Sequence, residues 1–309
     1  MKENRRALVL EAGGACGISS IKLLKKNEAA YVVAADMDEF SPSFSLADLG
    51  VVIPASSDDK FSRHVREIIE EQGVDIVLPT FEHGHESLSK LNLAVFVTDF
   101  KSALLCKDKL LFNLECQRLS LPVPKTRLMN NVDRIDSPVY VKPRVGVGSR
   151  NNYVTYSDDE YQRLRRFIVS HDQYLVQELL TGEHWNVDVL VTEGLFKRAI
   201  PRKDLKQKEG NCITVSVENY EKLIDFSREV QAKLDIRSPF NLEVFDKDGT
   251  FTINEINVRF GGGVIFGALS GVDMVSYLVT GDEAYLGELR AAVYSRYYEE
   301  VEVSNPSQR

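Results

Sequence analysis

The chain has 309 residues, 43% hydrophobic and 27% charged, a globular composition with material for two or three domain-sized units. Its net charge of −8 excludes a bulk polyanion as partner, because non-specific nucleic-acid binding needs a basic face. No apolar run reaches membrane-spanning length, and the stretch after Arg6, broken by Glu11 and Gly13, predicts no secretory signal. Cys16, Cys106, Cys116 and Cys212 form no CxxC pair and read as reduced thiols of a cytoplasmic protein.

The first hundred residues predict an α/β unit. Ala7 to Leu10 reads as a strand, followed by a glycine turn (Gly13, Gly14, Gly17) and a helix from Ile18 to Lys26. A second strand runs from Tyr31 to Ala35 and ends at Asp36; a helix covers 61–72, and a third strand covers 74–78. This alternation implies a doubly wound parallel sheet. A glycine turn with an acid about 20 residues later outlines a dinucleotide fingerprint, but Ala12 stands where the first glycine belongs. A tight turn with close helix packing is the favoured reading, and a bound dinucleotide the second. The loop from Pro79 to Glu86 follows a strand end, where ligands of open α/β sheets bind. Glu82 or Glu86 could there meet a substrate amine; the alternative is a polar loop that opens a helix.

A helix is predicted from Lys107 to Leu119, stopped by Leu121-Pro122-Val123-Pro124. Lys109 near its start opposes the helix dipole unless an anion is close. The strand Pro138 to Pro143 delivers Lys142 to its end, and the turn after it, from Arg144 to Arg150, offers backbone N–H groups to phosphate oxygens. Strands are predicted at 174–180 and 185–191. RAIPRKDLKQKEGN, from Arg198 to Asn211, reads as a basic surface loop, and Glu218 to Leu234 as an amphipathic helix.

The stretch FNLEVFDKDGTFTINEINVRFGGG, from Phe240 to Gly263, predicts a hairpin. Glu255, Asn257 and Arg259 project from one face, and a three-residue loop at 248–250 sets Glu243 opposite Glu255. Two carboxylates and a carboxamide suit a hard divalent cation, and Mg²⁺ usually takes one or two carboxylates plus substrate phosphates. The alternative is a solvated face that Arg259 neutralises. The C-terminal segment from Arg296 carries no legible signal.

These motifs, in this order across residues 5–290, resemble the ATP-grasp ligases, and in particular single-module proteins similar to the carbamoyl-phosphate synthase large chain. The motifs are Lys109 before LPVP, VYVKPRVGVGSR, LVQELLTGEHWNVDV, FNLEVF and INEINVRFGGG. The resemblance implies an α/β Rossmann-like pre-ATP-grasp domain (1–100), then an α+β two-lobed ATP-grasp fold. Its small lid domain would span 101–175 and its C-terminal domain 176–295, with a tail at 296–309.

The same resemblance implies site roles. Lys109 and Lys142 would contact ATP phosphates under a loop containing Gly146, Gly148 and Ser149. Gln177, Glu178 and Leu180 would line the adenine pocket, and the ribose acid falls at Glu183 or His184. Glu243, Glu255 and Asn257 would hold Mg²⁺, with Mn²⁺ as a substitute. Arg259 would stabilise the transferred phosphoryl group, helped by Arg202. The implied function is an ATP-dependent carboxylate–amine ligase acting on small molecules through an acyl phosphate and releasing ADP and phosphate. The implied partners are a small carboxylate and an amine, without nucleic acid or membrane, and a homodimer is compatible. Alternatives are a bicarbonate- or carbamate-activating enzyme and a non-catalytic ATP-binding module.

Overall fold

Alternating strands and helices close the N-terminal part into a parallel sheet. β1 (Arg6–Leu10), α1 (Ala15–Lys26), β2 (Tyr31–Asp36), α2 (Ser43–Leu46), β3 (Leu49–Val52), α3 (Phe61–Gln72), β4 (Ile76–Pro79) and α4 (His85–Ser89) follow in sequence. The strands lie in the order β3-β2-β1-β4 and all pair in parallel. The computed structural model describes residues 5–146, 148, 150–208 and 211–303. The glycine turn after β1 is structural. Gly13 N–H donates to Asp36 Oδ2 at 2.6 Å, so the acid of the fingerprint serves the turn itself. Gly17 packs so closely on the Ala12 backbone that a Cβ there would overlap it.

The segment 100–118 is two helices, where the sequence predicts a single one from Lys107. α5 (Phe100–Lys107) ends and α6 (Lys109–Arg118) begins at Asp108, whose carboxylate accepts from the N–H groups of Leu110 and Leu111 at 3.0 and 3.2 Å. An N-cap of this kind stabilises a helix start by roughly 1 kcal/mol. Ala103, Cys106, Phe112 and Cys116 of these helices pack into the core beneath the C-terminal sheet. This segment therefore braces the large sheet.

The small lobe has β5 (Thr126–Leu128), β6 (Val139–Pro143), β7 (Tyr153–Thr155), α7 (Asp158–Phe167) and β8 (Tyr174–Glu178), with sheet order β5-β8-β6-β7. β8 belongs wholly to this sheet. α7 covers it by burying Tyr161, whose hydroxyl donates to Val132 O at 2.7 Å.

The large sheet has the order β13-β12-β9-β10-β11-β14. Its elements are β9 (Glu183–Thr192), β10 (Leu195–Lys208), β11 (Asn211–Val217), α8 (Glu221–Leu234), β12 (Phe240–Lys247), β13 (Thr250–Asn257), α9 (Val264–Leu269), α10 (Met274–Thr280) and β14 (Ala292–Ser295). Of the basic segment expected as a loop, residues 198–208 belong to the 14-residue strand β10, paired on both sides, while Glu209 and Gly210 lie outside the described residues. The charges of β10 conceal a strand because Arg202 and Asp204 turn inward and find partners there. One face of the sheet buries Trp185, Val187 and Val189 against α8. Leu190, Ile200 and Val215 on the other face join α1, α9 and α10 in the core shared with the N-terminal sheet.

Candidate active site

The β12–β13 hairpin sets two carboxylates side by side, by a route that differs from the expected one. The turn has two residues, Asp248 (φ 53°) and Gly249 (φ 81°), the left-handed pair that an Asp-Gly turn favours. Pairing then runs Lys247–Thr250 through Val244–Ile253, and a register shift skips Asn254 before Glu243 meets Glu255. A two-residue turn plus a bulge delivers the same juxtaposition as a three-residue turn. The bulge also frees the Asn254 amide to donate to Glu243 Oε2 at 3.2 Å.

Around this pair opens a cleft of about 1390 Å³, lined by strands of the small lobe and of the large sheet and by the segments that follow β1 and β4 of the N-terminal sheet. Burial comes first in raising the Glu255 pKa, and the Glu243 charge raises it further, while Lys109 opposes both. Lys109 Nζ lies 3.3 Å from Glu255 and donates to Gly146 O at 2.7 Å. Its backbone N–H donates to Arg144 O, and Arg144 clasps Asp108 at 2.7 Å. The start of α6 is thereby tied to the turn after β6. Lys142 is 3% exposed yet faces the same cleft, and its burial lowers its pKa. Gly148 adopts φ 63° and lines the cleft, whereas Ser149 lies outside the described residues.

Gln177, Glu178 and Leu180 line one wall, and the Gln177 amide donates to Thr126 Oγ1 at 3.0 Å. Glu183 pairs with Lys203. His184 instead points between two acids, 2.8 Å from Asp204 and 3.7 Å from Glu243. Burial alone would depress this imidazole, but hydrogen bonds to Asp204 and Glu243 prevail and raise its pKa to about 10. An imidazolium thus stands where the resemblance expects a ribose-binding acid, beside Glu183.

Among the described residues Arg259 makes its ion pair with Glu82 and with neither hairpin acid, although the charges of Glu243 and Glu255 help to hold it protonated. Its Nη2 lies 2.6 Å from Glu82, at the end of the N-terminal sheet, and its Nη1 donates to Phe260 O at 2.9 Å. Of the two acids expected near a substrate amine, Glu82 reaches the cleft, while Glu86 lies 3.6 Å from Lys107 and 3.9 Å from Lys90. Arg202 is 1% exposed, with Nη2 2.7 Å from Asp188. It lies directly under the glycine turn, so that a Cβ at Gly263 would overlap its guanidinium. Gly261 N–H and the Asn241 amide both donate to the same Asp188 carboxylate, at 2.8 and 3.1 Å.

The oxygen donors fit a divalent cation of the Mg²⁺ kind. Glu243 and Glu255 face each other, and Asn257 lines the same cleft. Among the described residues no three His, Cys, Asp or Glu side chains close on one point. Phosphate and water would therefore complete a coordination shell, as is usual for Mg²⁺.

Sequence reading missed Glu11, Asp204 and Arg296. Asp204 was within reach, since it stands two residues from Arg202 on one strand and so shares its face. Glu11 immediately follows β1, and Arg296 had no local signal. All four cysteines are free, and no described helix is long and apolar enough to cross a membrane.

Comparison with known proteins agrees with this geometry. Residues 170–303 match the family described as ATP-grasp in the biosynthetic pathway with Ter operon, and residues 8–100 match the PylC-like N-terminal domain. An L-arginine-specific L-amino acid ligase of Bacillus subtilis is 23% identical over 190 residues, 54% of this chain and 46% of that protein. A probable polyketide synthase 34 of Dictyostelium discoideum is 24% identical over 58% of this chain and 7% of its own length. The chain thus spans less than half the length of these curated relatives.

Among solved structures, an N5-carboxyaminoimidazole synthetase of Staphylococcus aureus complexed with ADP superposes with a TM-score of 0.74 at 15% identity, covering 96% of this chain and 81% of that one. An L-amino acid ligase of Bacillus licheniformis gives a TM-score of 0.71 at 17% identity, covering 94% and 78%. Residues 170–303 thus match an ATP-grasp family and residues 8–100 a PylC-like N-terminal domain, and the fold is the one these solved structures share.

Proposed function

We propose that the protein is an ATP- and Mg²⁺-dependent carboxylate–amine ligase acting on small molecules through an acyl phosphate. The observation that carries this reading is the convergence of Glu243, Glu255, Lys109, Lys142 and Arg259 on one cleft. Phosphoryl transfer needs positioning and charge neutralisation more than covalent help from the protein, and this set supplies both. Lys109 and Lys142 hold the phosphates, with Gly146 and Gly148 beside them. Gln177, Glu178 and Leu180 take the adenine, and Glu183 with His184 faces the ribose. Glu243, Glu255 and Asn257 hold Mg²⁺ (or Mn²⁺), which when bound screens the phosphate charge and orients the transferred group.

A carboxylate oxygen of the acid attacks the γ-phosphorus and ADP departs. Arg259 meets the charge that develops on the transferred group. The amine nitrogen then attacks the acyl carbon, phosphate leaves with the bond to oxygen broken, and the amine gives up its proton. Arg202, already held by Asp188, is a positioning residue that fixes the glycine turn beside Arg259. Reduced buried thiols and dependence on ATP and Mg²⁺ suit the cytoplasm.

The test is a phosphate-release screen of amino acids and small acids in pairs, with ATP and Mg²⁺. ADP and phosphate are expected in equal amounts only when both acid and amine are present. Sustained AMP and pyrophosphate would contradict the reading, and ATPase activity dependent on bicarbonate alone would replace it with carbamate-type activation.

A further inference from the structure

Three guanidinium groups surround the turn from Phe260 to Gly263. Arg259 donates to Phe260 O and meets Glu82. Arg202 lies beneath Gly261 and Gly263 and is paired with Asp188. The third, Arg296, comes from the C-terminal segment immediately after β14. Its Nη2 donates to Gly262 O, its Nε donates to Cys212 O at 3.2 Å, and its guanidinium lies 5.0 Å over the Phe266 ring.

Arg296 differs from the other two in its charge balance. Among the described residues no carboxylate lies within ion-pair distance of it, and its contacts are carbonyl oxygens and a ring. Burial lowers its pKa, and the neighbouring charge of Arg202 lowers it further. A guanidinium offers five N–H donors, and two hydrogen bonds leave capacity unused. A partly buried cation without a counter-charge is costly unless an anion arrives. Arg296 also lines the same cleft as Arg259 and Glu255, so an anion can arrive there.

We propose that Arg296 binds a spectator carboxylate of a substrate, one that is not the carboxylate being activated. The proposal rests on the ligase reading only for the distinction between reacting and spectator groups. The reacting carboxylate sits at Arg259 and the nucleotide phosphates, whereas Arg296 is anchored at a different point of the glycine turn, Gly262 O rather than Phe260 O. Two substrate types present such a group: an amino acid serving as the amine, and a dicarboxylic acid serving as the acyl donor. A planar guanidinium matches a carboxylate in two-point geometry and discriminates against a carboxamide, which would present N–H groups to its donors. A purely structural role, stapling β14 to the turn, predicts lost stability on substitution without altered ligand choice.

The experiment is calorimetric binding to the full chain with Mg²⁺ and a non-hydrolysable ATP analogue. One arm compares glycine, L-alanine and L-arginine with their carboxamides; the other compares succinate with succinamate. At least one carboxylate-bearing ligand is expected to bind, with its carboxamide counterpart at least 30-fold weaker. Arg296→Met should reduce that ratio to within about threefold, and Arg296→Lys should restore part of it. The arm that shows the preference identifies the source of the carboxylate. Equal binding of acid and carboxamide to the unaltered protein, or no binding in either arm, overturns the proposal even if Arg296→Met fails to fold. Binding without phosphate release in the pair screen would instead count against the ligase reading alone.

Discussion

The N-terminal sheet and the large C-terminal sheet solve the same packing problem in opposite ways. β1 and β4 of the parallel sheet are buried along nearly their whole length on both faces. Strands covered by helices on both sides have no place for an unpaired charge, and beyond the exposed Arg6 at the start of β1 theirs are apolar. In the large sheet, alternation is strict where it matters. Trp185, Val187 and Val189 of β9 face the core, while His184 and Asn186 on the opposite face line the cleft and Asp188 on that face holds Arg202 beneath it. Arg202 with Asp204 on β10, Asn241 with Glu243 on β12, and Glu255 with Asn257 on β13 extend this polar face across four adjacent strands. The first sheet therefore carries stability, with Glu11 and Glu82 just beyond its strand ends; the second carries the charged groups that chemistry needs.

This contrast breaks most sharply at the hairpin. Glu255→Gln and Arg259→Ala should each lower ATP-dependent ligation by roughly 10³-fold or more while the far-UV CD spectrum and cooperative unfolding persist. Near-normal turnover in either variant would mean that the polar face is not the reaction site.

The opposite behaviour is expected in the parallel sheet. Leu8 is fully buried, and Leu8→Ala should cost about 2–5 kcal/mol in denaturant unfolding with turnover per folded molecule unchanged. A large loss of turnover in the folded fraction would show that the two sheets do not divide their roles.

Glu11 tests the border between them. Burial first, then the Glu82 charge, raises its carboxyl to about 7 from 4.5. Below pH 4.5 folded and unfolded chains both hold the proton, so the group has no effect on stability. Between pH 4.5 and 7 only the unfolded chain ionises, so folding loses stability as pH rises. Above pH 7 the penalty is complete at about 3 kcal/mol. Glu11→Gln should accordingly stabilise the chain at pH 8 and leave it unchanged at pH 4, by thermal unfolding at both values. The smallest effect belongs to the solvent face of α3, where Arg63 and Glu67 form an exposed pair at 2.8 Å. Arg63→Ala should shift stability by less than about 0.5 kcal/mol.

The same contrast explains what could be read from the sequence. Elements with one clear periodicity were legible: α3 spans the expected 61–72, and the parallel order of β1, β2 and β4 followed from alternation. The carboxylate pair was legible as a juxtaposition, although the bulge at Asn254 was not, because a turn length and a bulge can compensate each other in register. β10 was hidden because its inward positions hold Arg202 and Asp204, whose partners lie on β9 and in the glycine turn, remote in sequence. The break at Asp108 was hidden for a similar reason. One carboxylate caps α6 and binds Arg144, a residue 36 positions away. Arg296 had no local pattern at all, since only the pairing of β14 with β11 brings it to Gly262.

The central claim, that the cleft over Glu243 and Glu255 activates a carboxylate as its phosphate, is most directly tested by oxygen transfer. A productive acid labelled with ¹⁸O in its carboxylate should deliver one ¹⁸O to the released phosphate for each amide formed, with ADP as the nucleotide product. Label found in AMP, or phosphate free of label while amide accumulates, would contradict it.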